Sequence, residues 1–166
     1  VALASQPVFI HAETSAFYDA AAMPYTNLLR STTEAMSAVL GGADALTVRP
    51  YNAVFDVAPD EFAGRIARNV PLLLRDESFL DRVADPATGS YYLDTLTHEL
   101  TEAAWAEFLR IEAAGGLIAT CRSGQFPADI NAAYQARVEA VRAGQVLVGV
   151  TKFRHDEGAE GAALRS

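Results

Sequence analysis

The sequence predicts a helix-rich α/β chain, and three observations carry that reading. A short Val/Ile/Phe-rich run at 7–15, a helical period over 24–40 and a second strand-like run at Ala45–Val48 succeed one another within about fifty residues, the layout of two parallel strands joined by a crossover helix. Further helical periods then dominate the chain. At 51% hydrophobic and 20% charged residues, the 166-residue composition is that of a globular domain and not of a disordered segment.

Taken in order, Pro7-Val8-Phe9-Ile10 is too short for a helix and is ended by the polar group His11, Glu13, Thr14 and Ser15, so it reads as a buried strand. Pro24 opens a segment whose apolar residues Tyr25, Leu28, Leu29, Met36, Val39 and Leu40 recur mostly at three- and four-residue steps, and Gly41-Gly42 stops it. After Arg49-Pro50-Tyr51-Asn52 a second helix is expected with Phe62, Ile66, Val70, Leu73 and Leu74 on one face, kinked or ended near Val70 because Pro71 lacks a backbone donor. Asp85-Pro86-Ala87-Thr88-Gly89-Ser90 is a dense turn cluster. A long helix over about 95–114 follows, with Leu96, Leu100, Ala103, Ala104, Phe108 and Ile111 in phase and Gly115-Gly116 as its stop. A short apolar stretch, Leu117–Cys121, precedes a helix begun by Pro127, with Ile130, Tyr134, Val138 and Val141 facing inward. Val146–Val150 reads as a late strand, and the Gly- and Ala-rich residues beyond Phe153 as a mobile tail.

Charge and cysteine usage narrow the function classes. Thirteen Lys and Arg stand against 21 Asp and Glu, giving a net charge of −8, which opposes a nucleic-acid partner held through its phosphates. One cysteine excludes an internal disulfide, and no Cys/His group has metal-ligand spacing. No apolar run approaches the roughly 18 residues that span a bilayer, and the opening lacks a basic lead-in, so a cytoplasmic setting is expected. A start at Val1 directly before an apolar run is expected of a fragment or a processed chain.

Several segments together are distinctive. Arg65-Ile66-Ala67-Arg68-Asn69, Ala84-Asp85-Pro86 with Gly89-Ser90-Tyr91-Tyr92, Ile111-Glu112 with Gly115-Gly116, and Val148-Gly149-Val150 with Lys152-Phe153 occur in an order that resembles the methylmalonyl-CoA mutase family over almost the whole chain to Phe153. The resemblance implies that residues 1–153 are the C-terminal portion of a (β/α)8 TIM-type barrel that binds acyl-CoA, with 154–166 a tail or linker. It makes His11–Ser15 and Ala45–Val48 two late barrel strands whose C-terminal ends face a ligand. A closed barrel takes eight strands and about 250 residues, so the rest of it is expected elsewhere.

The strand ends also depart from the family's catalytic pattern. Catalytic chains typically carry Gln-Thr-Ser at the first strand and His-Thr-Asn followed by Asp-Glu-Ala at the second, whereas this chain has Glu13-Thr14-Ser15 and Thr47-Val48-Arg49-Pro50-Tyr51-Asn52. That pattern resembles the small, non-catalytic subunit of heterodimeric mutases. An amide both donates and accepts around a neutral corrin, whereas an ionised Glu13 only accepts. The resemblance thus implies a supporting chain for a larger subunit that carries adenosylcobalamin, with no cofactor on this chain alone, acyl-CoA as a conceivable ligand, and the radical interconversion of methylmalonyl-CoA and succinyl-CoA on the partner. Two alternatives stand beside it. One is a fragment of a catalytic mutase with a different acyl group, and the other a small helical module with no barrel. The lack of a cobalamin-domain Asp-x-His-x-x-Gly motif is uninformative, since that domain would follow residue 166.

Single residues divide between chemistry and structure. Strand alternation puts His11, Glu13 and Ser15 on one face, as an acid/base pair in a cavity or as a structural hydrogen-bonded group. Arg49 suits a carboxylate or phosphate clamp, or pairing with Asp44 or Asp56. These four and Asn52 are the ligand-facing candidates, and no catalytic or metal-binding residue is assigned. Arg65, Arg68, Asn69, Asp85, Gly89 and Tyr91 are read as structural. Cys121 reads as a small packed residue, His98 as a helix-surface residue and His155 as part of the tail.

Overall fold

The computed structural model describes residues 8–55 and 60–154. They fall into two compact units: one takes the chain up to Pro86 together with the segment from Leu147, and the other is Ala87–Val146.

In the first unit, β1 (His11–Glu13) and β2 (Ala45–Thr47) pair in parallel, joined by α1 (Thr26–Leu40), with His11 opposite Ala45 and Glu13 opposite Thr47. The expected βαβ unit is present, but its strands are three residues each. Residues 8–10 stay outside β1: Val8 and Phe9 are 78% and 71% exposed, and Asp44 instead accepts a hydrogen bond from the Ile10 amide at 2.8 Å. Among the described residues β1 has one neighbour, β2.

Helix α1 buries Asn27, Ser31 and Ala35, a row at four-residue steps, and not the expected stripe of large residues. Small side chains let the helix lie close to the strands, which leaves Leu29 and Met36 exposed. α2 (Glu61–Asp76) starts where the Asp60 carboxylate accepts from the Ala63 amide at 2.6 Å. It continues past Pro71 to Asp76, so the early stop near Val70 does not occur. Pro71 removes one donor, but Val70 and Leu74 on either side are both buried in one cluster with Ala35. The buried face is Ala63, Ala67, Val70 and Leu74, with Phe62 and Leu73 exposed, a correction to the expected face. Val39, Leu46, Val48 and Leu80 pack around this core.

Val146–Val150 is not a strand. Residues 147–152 form a tight turn with one bridge between Val148 and Lys152, because Gly149 adopts a left-handed conformation (φ 75°) and reverses the chain.

In the second unit, α3 (Tyr91–Ala113) begins four residues earlier than its apolar period suggests, because the Ser90 hydroxyl caps it by accepting from the Leu93 amide. Gly115 and Gly116 close it: their amides donate to the carbonyls of Glu112 and Ile111, an arrangement that needs the left-handed backbone both adopt. The apolar stretch after it is a helix, α4 (Leu117–Ser123), and α5 is Gln125–Arg142. Ile130 and Tyr134 are 55% and 60% exposed, so the expected inward face of α5 is not buried among the described residues. Arg110 joins α3 to α5, donating to Glu107 at 2.7 Å and to Asp129 at 2.6 Å. Its hydrogen bonds hold both carboxyls below the usual range, and a hydrogen bond from Gln125 further lowers Asp129. Among the described residues no helix is long and apolar enough to cross a membrane. The expected tail beyond Arg154 lies outside the described residues.

Candidate functional site

Parallel pairing brings the C-terminal ends of β1 and β2 to one side, and the polar residues of both strands converge there. Alternation sends Leu46 and Val48 into the core, so Thr47 and Arg49 share the opposite face with His11 and Glu13. On that face the His11 ring nitrogen Nε2 lies 2.8 Å from the Thr47 hydroxyl. Arg49 Nη1 stands 3.7 Å from Glu13 Oε1, with both side chains about half exposed. His11 thus pairs with Thr47 and not with Glu13. Arg49 pairs with Glu13 and not with Asp44, which holds the Ile10 amide; Asp56 lies outside the described residues.

Thr14 ties the two strand ends together. It is buried, its amide donates to the Thr47 carbonyl at 3.0 Å, and its hydroxyl accepts from the Arg49 amide at 2.9 Å. The Ser15 hydroxyl caps the 3₁₀ turn Ala16–Tyr18 by accepting from the Phe17 amide, and the Ser15 amide donates to Glu34 at 2.7 Å. Ser15 is therefore engaged locally. Nearby, burial pushes the Asp19 carboxyl above its ordinary range and Glu34 adds to the rise, while Arg30 and Arg49 oppose it.

Asn52 is 4% exposed, and its Oδ1 has no hydrogen-bond partner among the described residues. The neighbouring Tyr51 is buried between Tyr25 and Phe62, whose ring centroids lie 5.2 and 6.4 Å away. Asn52 is thus held in place with an acceptor unspent.

The candidates read as structural lie elsewhere. Arg65, Arg68 and Asn69 are exposed on α2, and the Arg65 guanidinium sits 5.7 Å from the Phe62 ring centre. Asp85 is exposed, Gly89 adopts φ 84° in its turn, and Tyr91 opens α3 at 88% exposure. Cys121 is exposed on α4, contrary to the expected packing, because α4 buries Thr120 instead. His98 is exposed as expected, and His155 lies outside the described residues. Among the described residues no group of three or more His, Cys, Asp or Glu is placed to hold a metal ion.

Residues that sequence reasoning passed over do much to order these loops. Asn27 is fully buried and bonds the backbone of Ala20 and Tyr51, and Arg30 bonds Asn27 and the Val148 carbonyl. The available signal was a polar residue in phase with Ser31 and Ala35 on a helix face that must approach a sheet.

A family model for methylmalonyl-CoA mutase matches residues 2–165. The chain is 38% identical over 144 residues to a methylmalonyl-CoA mutase small subunit of Porphyromonas gingivalis and 43% identical over 144 residues to one of Streptomyces virginiae, covering 86% of this chain each time. It is 41% identical over 145 residues, 87% of this chain, to a methylmalonyl-CoA mutase of Rhizobium meliloti. It spans 23% of each small-subunit relative and 20% of the Rhizobium one. With a match running from end to end and a βαβ unit whose polar strand ends converge, the chain belongs to the methylmalonyl-CoA mutase family.

Proposed function

We propose that this chain is the C-terminal portion, residues 1–153, of the barrel domain of a methylmalonyl-CoA mutase-like protein, in a non-catalytic subunit supporting a larger chain that carries adenosylcobalamin. The observation that carries this reading is the mutual engagement of the strand-end side chains: His11 with Thr47 and Glu13 with Arg49. A corrin rim of neutral amides calls for side chains that both donate and accept, and a carboxylate turned toward a guanidinium does not fit it. The small-subunit names of two relatives support the same assignment and a partner subunit.

In this role the chain takes no part in the chemical step. The interconversion of methylmalonyl-CoA and succinyl-CoA takes place on the partner, and this chain stabilises the assembly by binding its folded form. Both chains are cytoplasmic.

One observation favours a second reading, a fragment of a catalytic mutase with another acyl group. The buried, unpaired Oδ1 of Asn52 is an acceptor that a ligand donor would satisfy. Titration of the full-length chain with adenosylcobalamin, followed by absorbance, tests the choice. The supporting role predicts no stoichiometric binding, and tight one-to-one binding would assign the chemistry to this chain.

A further inference from the structure

Asn27 spends all of its hydrogen-bonding capacity. Its Oδ1 accepts from the Ala20 amide at 3.0 Å and from Arg30 Nη1 at 2.8 Å, while its Nδ2 donates to the carbonyls of Ala20 at 3.2 Å and Tyr51 at 3.0 Å. Two acceptor sites and two donor hydrogens are what an amide has. Ala20 belongs to the segment after β1 and Tyr51 to the segment after β2. Arg30, one helical turn on, donates from Nη2 to the Val148 carbonyl at 2.6 Å and so reaches the turn at 147–152. That turn is also seated closely: a Cβ on Gly149 would lie 3.0 Å from Met23 Sδ and 3.3 Å from Thr26 Oγ1.

Three backbone segments that meet at the C-terminal ends of β1 and β2 are thus fastened by two side chains of one helix. Neither Asn27 nor Arg30 is bonded to Glu13, Arg49 or Asn52. Asn27 acts on them through the backbone at Ala20 and Tyr51, which follow Glu13 and Arg49 in the chain. We propose that Asn27 and Arg30 are a positioning pair: Asn27 sets the spacing of the loops after β1 and β2, and with it the distance between Glu13 and Arg49, and Arg30 fastens the turn at 147–152 to Asn27. Its functional consequence, though not the geometry, rests on reading these strand ends as the mouth of the mutase barrel.

The two halves of the pair separate by substitution. Asn27→Asp keeps size and both accepted bonds but loses both donated ones, setting a carboxylate against the carbonyls of Ala20 and Tyr51. Arg30→Ala releases Val148 and leaves the Asn27 bonds to Ala20 and Tyr51. Leu74→Ala, a core substitution in the cluster with Ala35 and Val70 that removes neither tether, serves as the control for plain loss of stability.

The test is amide hydrogen exchange of the full-length chain under native conditions, together with the NMR resonance of the Arg49 side-chain Nε–H. Asn27→Asp is expected to speed exchange at least tenfold in 16–22 and 49–55 and to shift the Arg49 resonance. Arg30→Ala is expected to do the same in 147–152 alone, and Leu74→Ala to move neither the Arg49 resonance nor these loops selectively. If Asn27→Asp and Leu74→Ala give the same pattern, the proposal is overturned. Should Asn27→Asp fail to fold, Arg30→Ala decides: exchange at 147–152 unchanged from wild type overturns it. Neither readout uses a ligand or a partner, so failure of the supporting-subunit reading would leave both results standing.

Discussion

Glu13 and Arg49 face each other 3.7 Å apart across the C-terminal ends of two parallel strands, each about half exposed. A pair this open to solvent contributes about 0–1 kcal/mol. Glu13→Gln is therefore expected to leave the thermal midpoint within about 3 °C of wild type. A larger drop in a melting experiment would show that the pair holds the fold together and is not merely two side chains satisfying each other.

The core of the first unit rests on few side chains. Leu74 is 4% exposed and packs with Ala35 and Val70, so Leu74→Ala should cost about 2–5 kcal/mol in urea unfolding. A cost below about 1 kcal/mol would place the core elsewhere.

Gly149 carries both a left-handed backbone and a close approach to Met23. Gly149→Ala meets strain from each, and a loss of at least about 1 kcal/mol is expected, read as a lowered denaturant midpoint. No change would mean that the turn at 147–152 shifts freely away from Met23.

Asp19 gives a signed pH dependence. Its folded carboxyl titrates above its unfolded value, chiefly through burial, so the stability linked to it is fully present below the unfolded value and is lost as pH rises through the folded one. Asp19→Asn should then stabilise the chain at neutral pH and lose that advantage in acid. Equal effects at pH 7 and pH 3 would refute the assignment.

Arg110 gives the opposite sign in the second unit. Glu107 and Asp129 titrate below their ordinary values beside it, so their contribution is present above the unfolded values, near pH 4, and is lost as pH falls through the folded ones. Arg110→Ala should flatten the acid limb of the melting profile. An unchanged profile between about pH 2 and 4 would show that the network does not stabilise the unit.

Much of the architecture was legible in the chain. The βαβ unit, α1 within two residues and the glycine stops at 41–42 and 115–116 follow from period and turn chemistry. What was misread has a common cause. Apolar periodicity locates a helix but does not say which face is covered: α1 turns Asn27, Ser31 and Ala35 inward and leaves Leu29 out, because a close approach to the strands needs small residues. Val146–Val150 looked like a strand, yet among the described residues it makes only the Val148–Lys152 bridge and Gly149 reverses it. The continuity of α2 past Pro71 likewise depends on tertiary packing that local propensity does not contain. At the site, the strand alternation that puts His11 and Glu13 on one face was readable, whereas the pairing of Glu13 with Arg49 and the roles of Asn27 and Arg30 were not, since these partners are distant in sequence.

The central claim, a supporting subunit for a cobalamin-carrying chain, is tested most directly by native mass spectrometry of the intact gene product isolated from its own host. The account predicts a one-to-one complex with a larger chain, the corrin dissociating with that larger chain. A homo-oligomer of this chain carrying its own corrin would contradict it and would turn attention to Asn52 and Arg49 as groups that meet a ligand.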